Sequence, residues 1–242
     1  MPVAMITGGA SWISRATSRS LIADGWEVAL SDIDTKGLED LVKELGPKAA
    51  GERLDVTDLA AVTGYAKRLA AQKGGIDALV NVAGGSVWLK MGRQNFAETD
   101  PEKWDLILKP NLNGVLNCCH AVLPHMVGAK KGAIVSVASG LGLRGKAQTT
   151  TYSAAKAAVI AFSQSLCQEV GPHGIRVNTV APGNTESRWI PGLTDAAGQT
   201  VSPLGRRIGA DDIANAICFL VSERASHITG ACFDVSGGTS LH

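Results

Sequence analysis

From its first residues the chain alternates short apolar runs with helical stretches, and that alternation restricts the fold more than any other feature. Val3-Ala4-Met5-Ile6 is a short apolar run that stops at Thr7-Gly8-Gly9, and a helical stretch follows to about Ala23, ended by Asp24-Gly25. Glu27-Val28-Ala29-Leu30-Ser31 reads as a strand, 35–45 and 58–72 as helices, and Ile76-Asp77-Ala78-Leu79-Val80-Asn81 as a strand ending at Gly84-Gly85. Further strands read at 132–137, 174–180 and 232–235, with a helix over 211–222. Strands this short and apolar, separated by helices, predict a parallel sheet covered on both faces. The 242 residues hold no repeat and no Pro/Gly/Ser-rich linker, so a single doubly wound α/β domain is expected over 1–242. The longest aperiodic stretch, about 184–209, reads as a binding loop or lid.

Composition removes several classes of function. Apolar residues make up 45% of the chain and charged residues 19%, enough for a sizeable core and unlike a disordered chain. The formal net charge is +1, with no basic excess of the sort nucleic acid or an anionic membrane requires. No secretory signal is visible, and no uncharged apolar run reaches the ~18 residues of a membrane helix. The five cysteines have no Cys-x-x-Cys spacing, which argues against a zinc site or a disulfide framework and for thiols in a reducing compartment. A cytoplasmic protein is expected.

In an open parallel sheet, ligands bind at the carboxyl ends of the strands where the strand order reverses. The first such end is Thr7-Gly8-Gly9-Ala10-Ser11-Trp12-Ile13-Ser14, which opens a helix whose free N–H groups suit a pyrophosphate. Asp32 falls at the end of the second strand, 24 positions after Gly8. A carboxylate there accepts hydrogen bonds from ribose hydroxyls and repels a 2′-phosphate, which points to NAD over NADP. A tight turn with a solvated surface acid is the plainer alternative.

A second group of residues carries more chemistry. Tyr152 lies 13 positions after Ser139, and Lys156 four positions further on, in a strongly helical stretch. Residues four apart share a helix face, so Tyr152 and Lys156 can enter one site. A free phenol has a pKa of about 10, too high for acid–base work near neutrality, and a nearby ammonium lowers it. Ser139, at the end of the preceding strand, is placed to hydrogen-bond a carbonyl or alkoxide oxygen.

With these residues in order, the chain resembles the short-chain dehydrogenase/reductase family along essentially its whole length. The family's Ser, Tyr and Lys match Ser139, Tyr152 and Lys156, and its helical Asn matches Asn111 in Pro110-Asn111-Leu112-Asn113-Gly114. Its Asn-Asn-Ala-Gly element appears as Asn81-Val82-Ala83-Gly84, its adenine-contacting pair as Asp55-Val56, and its nicotinamide turn as Ala181-Pro182-Gly183, followed by Thr185. Val235-Ser236-Gly237-Gly238 resembles its C-terminal element. The resemblance implies a Rossmann-like fold and hydride transfer between a nicotinamide and a carbinol or carbonyl carbon. Tyr152 would be the general acid–base. Lys156 would lower its pKa and bind the nicotinamide ribose, Ser139 would orient the substrate oxygen, and Asn111 would hold a proton-relay water. The cofactor contacts it implies are Gly8, Ser11, Trp12, Ile13, Asp32, Asp55, Val56, Asn81, Ala83, Gly84, Tyr152, Lys156, Pro182, Gly183 and Thr185. It further implies a homotetramer, with a dimer as second choice, built on the helices at about 111–127 and 152–170.

The sequence departs from the family at the phosphate turn, where Trp12 and Ser14 stand in place of the second and third glycines. The second glycine lets the backbone approach the pyrophosphate, and the third permits close helix–strand packing. Trp12 must swing into solvent, pack over the cofactor or fill the phosphate position. This leaves open a working enzyme whose Trp12 points away, a cofactor-impaired chain and a divergent member that uses Trp12 as a contact, with a non-catalytic dinucleotide-binding or scaffold protein as the rival from another class. Weaker NAD binding than in a Trp12→Gly/Ser14→Gly double variant is expected. Pro110 lacks an N–H and is expected to break or bend the helix just before Asn111.

Substrate identity is poorly encoded. Ser139, Gly140, Leu141, Gln148, Asn184 and the loop near Trp189 lie beside the site by resemblance. Trp88 and Trp189 are candidate pocket walls, while Arg144 and Arg188 are candidate partners for an anionic group. His120 and His125 read as packing residues, and no metal-ligand spacing or Gly-x-Ser-x-Gly elbow is present.

Overall fold

The computed structural model describes residues 1–85, 94–183, 185 and 202–239. Seven strands, β1 (Val3–Thr7), β2 (Glu27–Asp32), β3 (Ala49–Arg53), β4 (Ala78–Asn81), β5 (Gly132–Val137), β6 (Ile175–Pro182) and β7 (Cys232–Val235), form one sheet in the order β3-β2-β1-β4-β5-β6-β7. Every neighbouring pair is parallel. The helices are α1 (Trp12–Ala23), α2 (Thr35–Leu45), α3 (Leu59–Lys73), α4 (Asp105–Leu108), α5 (Gly114–Ala129), α6 (Gly140–Leu143), α7 (Thr150–Val170) and α8 (Ala210–Val221). This is a Rossmann-like α/β domain.

The two-residue period of each strand divides the core. Val3 and Met5 join Leu79, Ile134 and Val177 beneath α3, α5 and α7, with Val62, Leu69, Val122 and Val159 closing that face. Ala4 and Ile6 join Leu30, Val80 and Val135 on the other side, beneath α1, α2 and α8, with Leu21, Leu38, Ile213 and Ile217. Both faces are buried, which is why the central strands read as apolar runs without alternation.

Strand β3 is absent from the sequence reading. Its Ala-Ala-Gly-Glu-Arg carries no β-branched or aromatic residue, and as the sheet's edge it is exposed from Ala50 to Arg53. Pairing with β2, from Val28↔Ala49 to Asp32↔Arg53, makes it a strand. Other boundaries move by one or two residues. Asp58 is the cap of α3 rather than part of it, accepting from Ala61 N at 3.0 Å, and α7 begins at Thr150, before Tyr152. Among the described residues no helix is long and apolar enough to cross a membrane.

Candidate active site

Strand order reverses between β1 and β4, whose carboxyl ends meet at Thr7↔Asn81. The buried Thr7 hydroxyl accepts from the amides of Val82 and Ala83, both at 3.3 Å, and so ties the two strand ends together. Gly8 follows at φ +65°, where an added Cβ would lie 2.7 Å from the Ala83 nitrogen. Strain and contact together demand glycine here. Gly8→Ala is expected to lower stability by about 2 kcal/mol or more, read as a drop in denaturation midpoint without change in slope.

Beyond Gly8 the turn is closed by hydrogen bonds. Gly9 N donates to Ser31 O at 2.8 Å, and Ala10 N donates to Asp32 Oδ2 at 2.9 Å. Asp32 Oδ1 accepts from Asp34 N at 2.9 Å, so both oxygens of this carboxylate are held in place. Ser11 caps α1, its hydroxyl accepting from Ser14 N at 3.2 Å. The third glycine's replacement, Ser14, is fully buried, and its hydroxyl donates to Gly8 O at 2.8 Å, so its extra atoms are accommodated and satisfied. Trp12 stands as the first residue of α1 with 53% of its surface exposed. Its side chain is therefore not buried within the turn.

Just past β3, Asp55 Oδ1 accepts from the Thr57 amide and hydroxyl at 2.9 and 2.8 Å. Val56 is buried against Gly114, where a Cβ would come within 2.5 Å of its side chain. Its carbonyl accepts from Asn117 Nδ2 at 2.9 Å. Thr7 and Asn117 are absent from the sequence-derived site. An Asn inside the apolar run Gly-Val-Leu-Asn-Cys-Cys was the available signal for the second.

The side chain of Asn81 is spent on the sheet. It is buried, its Nδ2 donating to Ser136 Oγ at 3.0 Å and toward Cys119 Sγ at 3.6 Å, while its buried Oδ1 has no hydrogen-bond partner. Gly84 sits at φ +140°, where a Cβ would lie 2.5 Å from Asn111 Oδ1. Asn111 clamps the next residue through both ends of its amide, donating to Gly85 O at 3.1 Å and accepting from Gly85 N at 3.2 Å. The break expected at Pro110 is a π turn over Lys109–Asn113 joining α4 to α5. Asn111 Nδ2 takes the carbonyl of Ile107, four residues back, at 2.9 Å. In a regular helix that carbonyl would accept from the backbone N–H of Asn111.

Ser139, Tyr152 and Lys156 come together at the end of β5. Ser139 caps the short α6, accepting from Leu141 N at 3.2 Å, and it hydrogen-bonds the Tyr152 phenol. Gly142 lets α6 lie against α7, since a Cβ there would be 2.7 Å from the Lys156 backbone carbonyl carbon. Lys156 is buried, its Nζ donating to Val137 O at 2.8 Å and lying 5.8 Å from the centroid of the Tyr152 ring. Burial lowers its ammonium pKa to about 8. The net shift at Tyr152 runs opposite to the one expected: burial raises the phenol's pKa, and the Ser139 hydrogen bond opposes that rise. The ammonium is directed at a sheet carbonyl and stands beside the ring.

At the far end of the sheet, Pro182 ends β6 and Gly183 N donates to Val235 O at 3.1 Å. A Cβ on Gly183 would meet Ile208 at 2.9 Å and Ser236 at 3.0 Å, and Thr185 bridges to Ile208. Gln148, four residues before Tyr152, is exposed at φ +65°, Leu141 is half-buried, and Arg144 donates to Thr239 O at 2.9 Å. A cavity of about 500 Å³ lies beside this edge, lined by Pro203, Leu204, Arg207, Ile208 and Val235, and it includes neither Ser139 nor Tyr152. Trp88, Asn184, Arg188 and Trp189 lie outside the described residues, as does most of the 184–209 loop.

A doubly wound parallel sheet with a Ser–Tyr–Lys group at its carboxyl edge and a glycine turn at its switch point defines a class of oxidoreductases. The chain belongs to that class, the short-chain dehydrogenase/reductase family: a family model described as enoyl-(acyl carrier protein) reductase matches residues 8–240. It is similar to the 3-oxoacyl-(acyl-carrier-protein) reductase of Salmonella typhimurium, 36% identical over 98% of this chain and 96% of that one. It is 38% identical to the cis-4-hydroxycyclohexanecarboxylate dehydrogenase of Sinomonas cyclohexanicum, over 98% of this chain and 95% of the other. Among solved structures, levodione reductase superposes with a TM-score of 0.90 at 29% identity, covering 99% of this chain and 97% of that one.

Proposed function

We propose that the protein interconverts a secondary alcohol and a ketone by hydride transfer, with NAD(H) as cofactor and Tyr152 as general acid–base. The observation that carries this reading is the meeting of Ser139, Tyr152 and Lys156 at the sheet's carboxyl edge. The three relatives are each named for reducing an oxo compound or oxidising a hydroxy compound.

The residues present fit a nicotinamide dinucleotide. In the first turn of α1, the amides of Trp12 and Ile13 have no acceptor within the helix and suit a pyrophosphate. Asp32 would take the adenosine ribose hydroxyls, and Asp55, Val56, Ala83 and Gly84 would border the adenosine half. Pro182, Gly183 and Thr185 would border the nicotinamide, and Lys156 its ribose. The bound cofactor supplies the hydride acceptor or donor. Ser139 orients the substrate oxygen, Tyr152 gives or takes the proton at that oxygen, and the adjacent ammonium of Lys156 favours the phenolate once the proton has left. Asn111, at the π turn, holds a water that returns the proton from solvent through Lys156. Substrate contacts fall to Ser139, Leu141, Gln148 and the 184–209 loop with Trp189.

NAD preference rests on Asp32. Its carboxylate is fixed by the Ala10 and Asp34 amides, so it cannot swing away from a 2′-phosphate. Calorimetric titration is expected to show NADH binding at least about tenfold tighter than NADPH, the gap narrowing in Asp32→Ser. Equal affinities for the two would overturn the preference. We further propose one domain over the whole chain, acting in the cytoplasm, where the buried thiols of Cys118 and Cys119 stay reduced. A homotetramer is the assembly favoured, because α7 exposes the small residues Ala154, Ala157 and Ala161.

A further inference from the structure

The hydrogen-bonding side chains of the turn from Gly8 to Ser14 are committed to one another, with one exception. The Ser14 hydroxyl donates to Gly8 O at 2.8 Å, and the Ser11 hydroxyl donates to Ser14 Oγ at 3.0 Å. Neither has a proton left for a ligand. Cations are not at hand either: α1 carries only Arg15 and Arg19, and both pair with Glu44, at 2.7 and 2.6 Å. The first turn of α1 holds no acidic residue to compete with an anion. The indole N–H of Trp12 is the remaining side-chain donor, on a residue 53% exposed.

Position decides what that donor faces. In a helix each Cα–Cβ bond tilts toward the N-terminus, and long side chains lean back over the preceding turn. Trp12 is the first helical residue, so its indole projects past the end of α1. That is the end at which the Trp12 and Ile13 amides lack acceptors. An anion seated on those amides has the indole along its flank.

We propose that Trp12 binds the dinucleotide's pyrophosphate, its indole N–H donating to a phosphate oxygen and its ring shielding the outer side of the group from water. A glycine at this position offers neither. The proposal rests on the reading of this turn as the dinucleotide site. It reverses the expectation of weakened binding drawn from the residue's size, since the bulk stands outside the turn and Ser14 fits within it.

The test uses ADP-ribose, which carries the pyrophosphate but no nicotinamide, and adenosine, which carries no phosphate. Each is titrated calorimetrically into the full chain, Trp12→Phe and Trp12→Gly, with thermal melts to confirm folding. The expected result is ADP-ribose binding about tenfold weaker in Trp12→Phe and weaker again in Trp12→Gly, with adenosine unchanged. The fluorescence contributed by Trp12, taken as the difference between the unsubstituted chain and Trp12→Phe, is expected to respond to ADP-ribose and not to adenosine. Equal ADP-ribose affinity in all three proteins overturns the proposal and leaves the cofactor reading standing. Tighter binding in Trp12→Gly shows obstruction and does the same. No ADP-ribose binding by any of the three overturns both.

Discussion

Tyr152→Phe is expected to lower kcat/KM for ketone reduction by about 10³-fold, within the range general acid–base groups supply, while the dissociation constant for NADH stays within about twofold. The substitution removes one oxygen from a half-buried ring. That oxygen's protein partner is the Ser139 hydroxyl, which also caps α6 through Leu141 N at 3.2 Å and so stays in place. A screen of ketones and secondary alcohols with the unsubstituted enzyme comes first, and the best substrate is then assayed with the variant. Turnover undiminished in Tyr152→Phe would remove Tyr152 from the chemistry.

Lys156→Met is expected to raise stability while abolishing turnover. Burial brings the Lys156 pKa from 10.5 to about 8, a penalty on the folded charged form of about 3 kcal/mol. The sign follows from proton counting. Between about pH 8 and 10.5 the unfolded chain holds more protons at this site than the folded one, so stability rises with pH in that window. Below about pH 8 the penalty is fully present, and Met removes it. The bond from Nζ to Val137 O is lost at the same time, which offsets about 1–2 kcal/mol. A net gain of about 1–2 kcal/mol corresponds to a melting temperature about 4 °C higher at pH 7 for a chain of this size. The difference should shrink as pH is raised toward 10.5. A Met variant that is less stable at pH 7, by an amount independent of pH, would show that the ammonium is well solvated in the native state.

The sheet and the Ser–Tyr–Lys group were legible for a shared reason: each is written as local spacing. Strands β1, β2, β4 and β5 carry apolar runs because both faces of the sheet are covered there, and Tyr152 and Lys156 are one helical turn apart. Strand β3 was illegible because its conformation comes from pairing with β2 and its own residues argue against it. Ser14 looked like a defect because the sequence shows its added atoms and not the Gly8 carbonyl that receives its hydroxyl. Asn81 read as a ligand-facing residue, yet Ser136 and Cys119, its side-chain partners, arrive from far along the chain. The phenol of Tyr152 illustrates the same limit. Its i+4 lysine is visible in the sequence, but the direction of its shift is set by burial, a property of the whole fold.

The π turn at Lys109–Asn113 also sets the phase of the helix that follows. Such a turn holds one residue more than a regular helix would over the same advance, and each residue rotates what lies beyond it by about 100° about the axis. The stripe of α5 that reaches the core, Val115, Cys118, Cys119, Val122 and Met126, is therefore aligned only while the extra residue is kept. Deleting any one residue of the turn would heal the helix and carry that stripe out of register with α3 and the sheet. The irregularity that presents Asn111 is thus geared to the packing of one of the two apolar faces of the sheet, and neither can drift without the other.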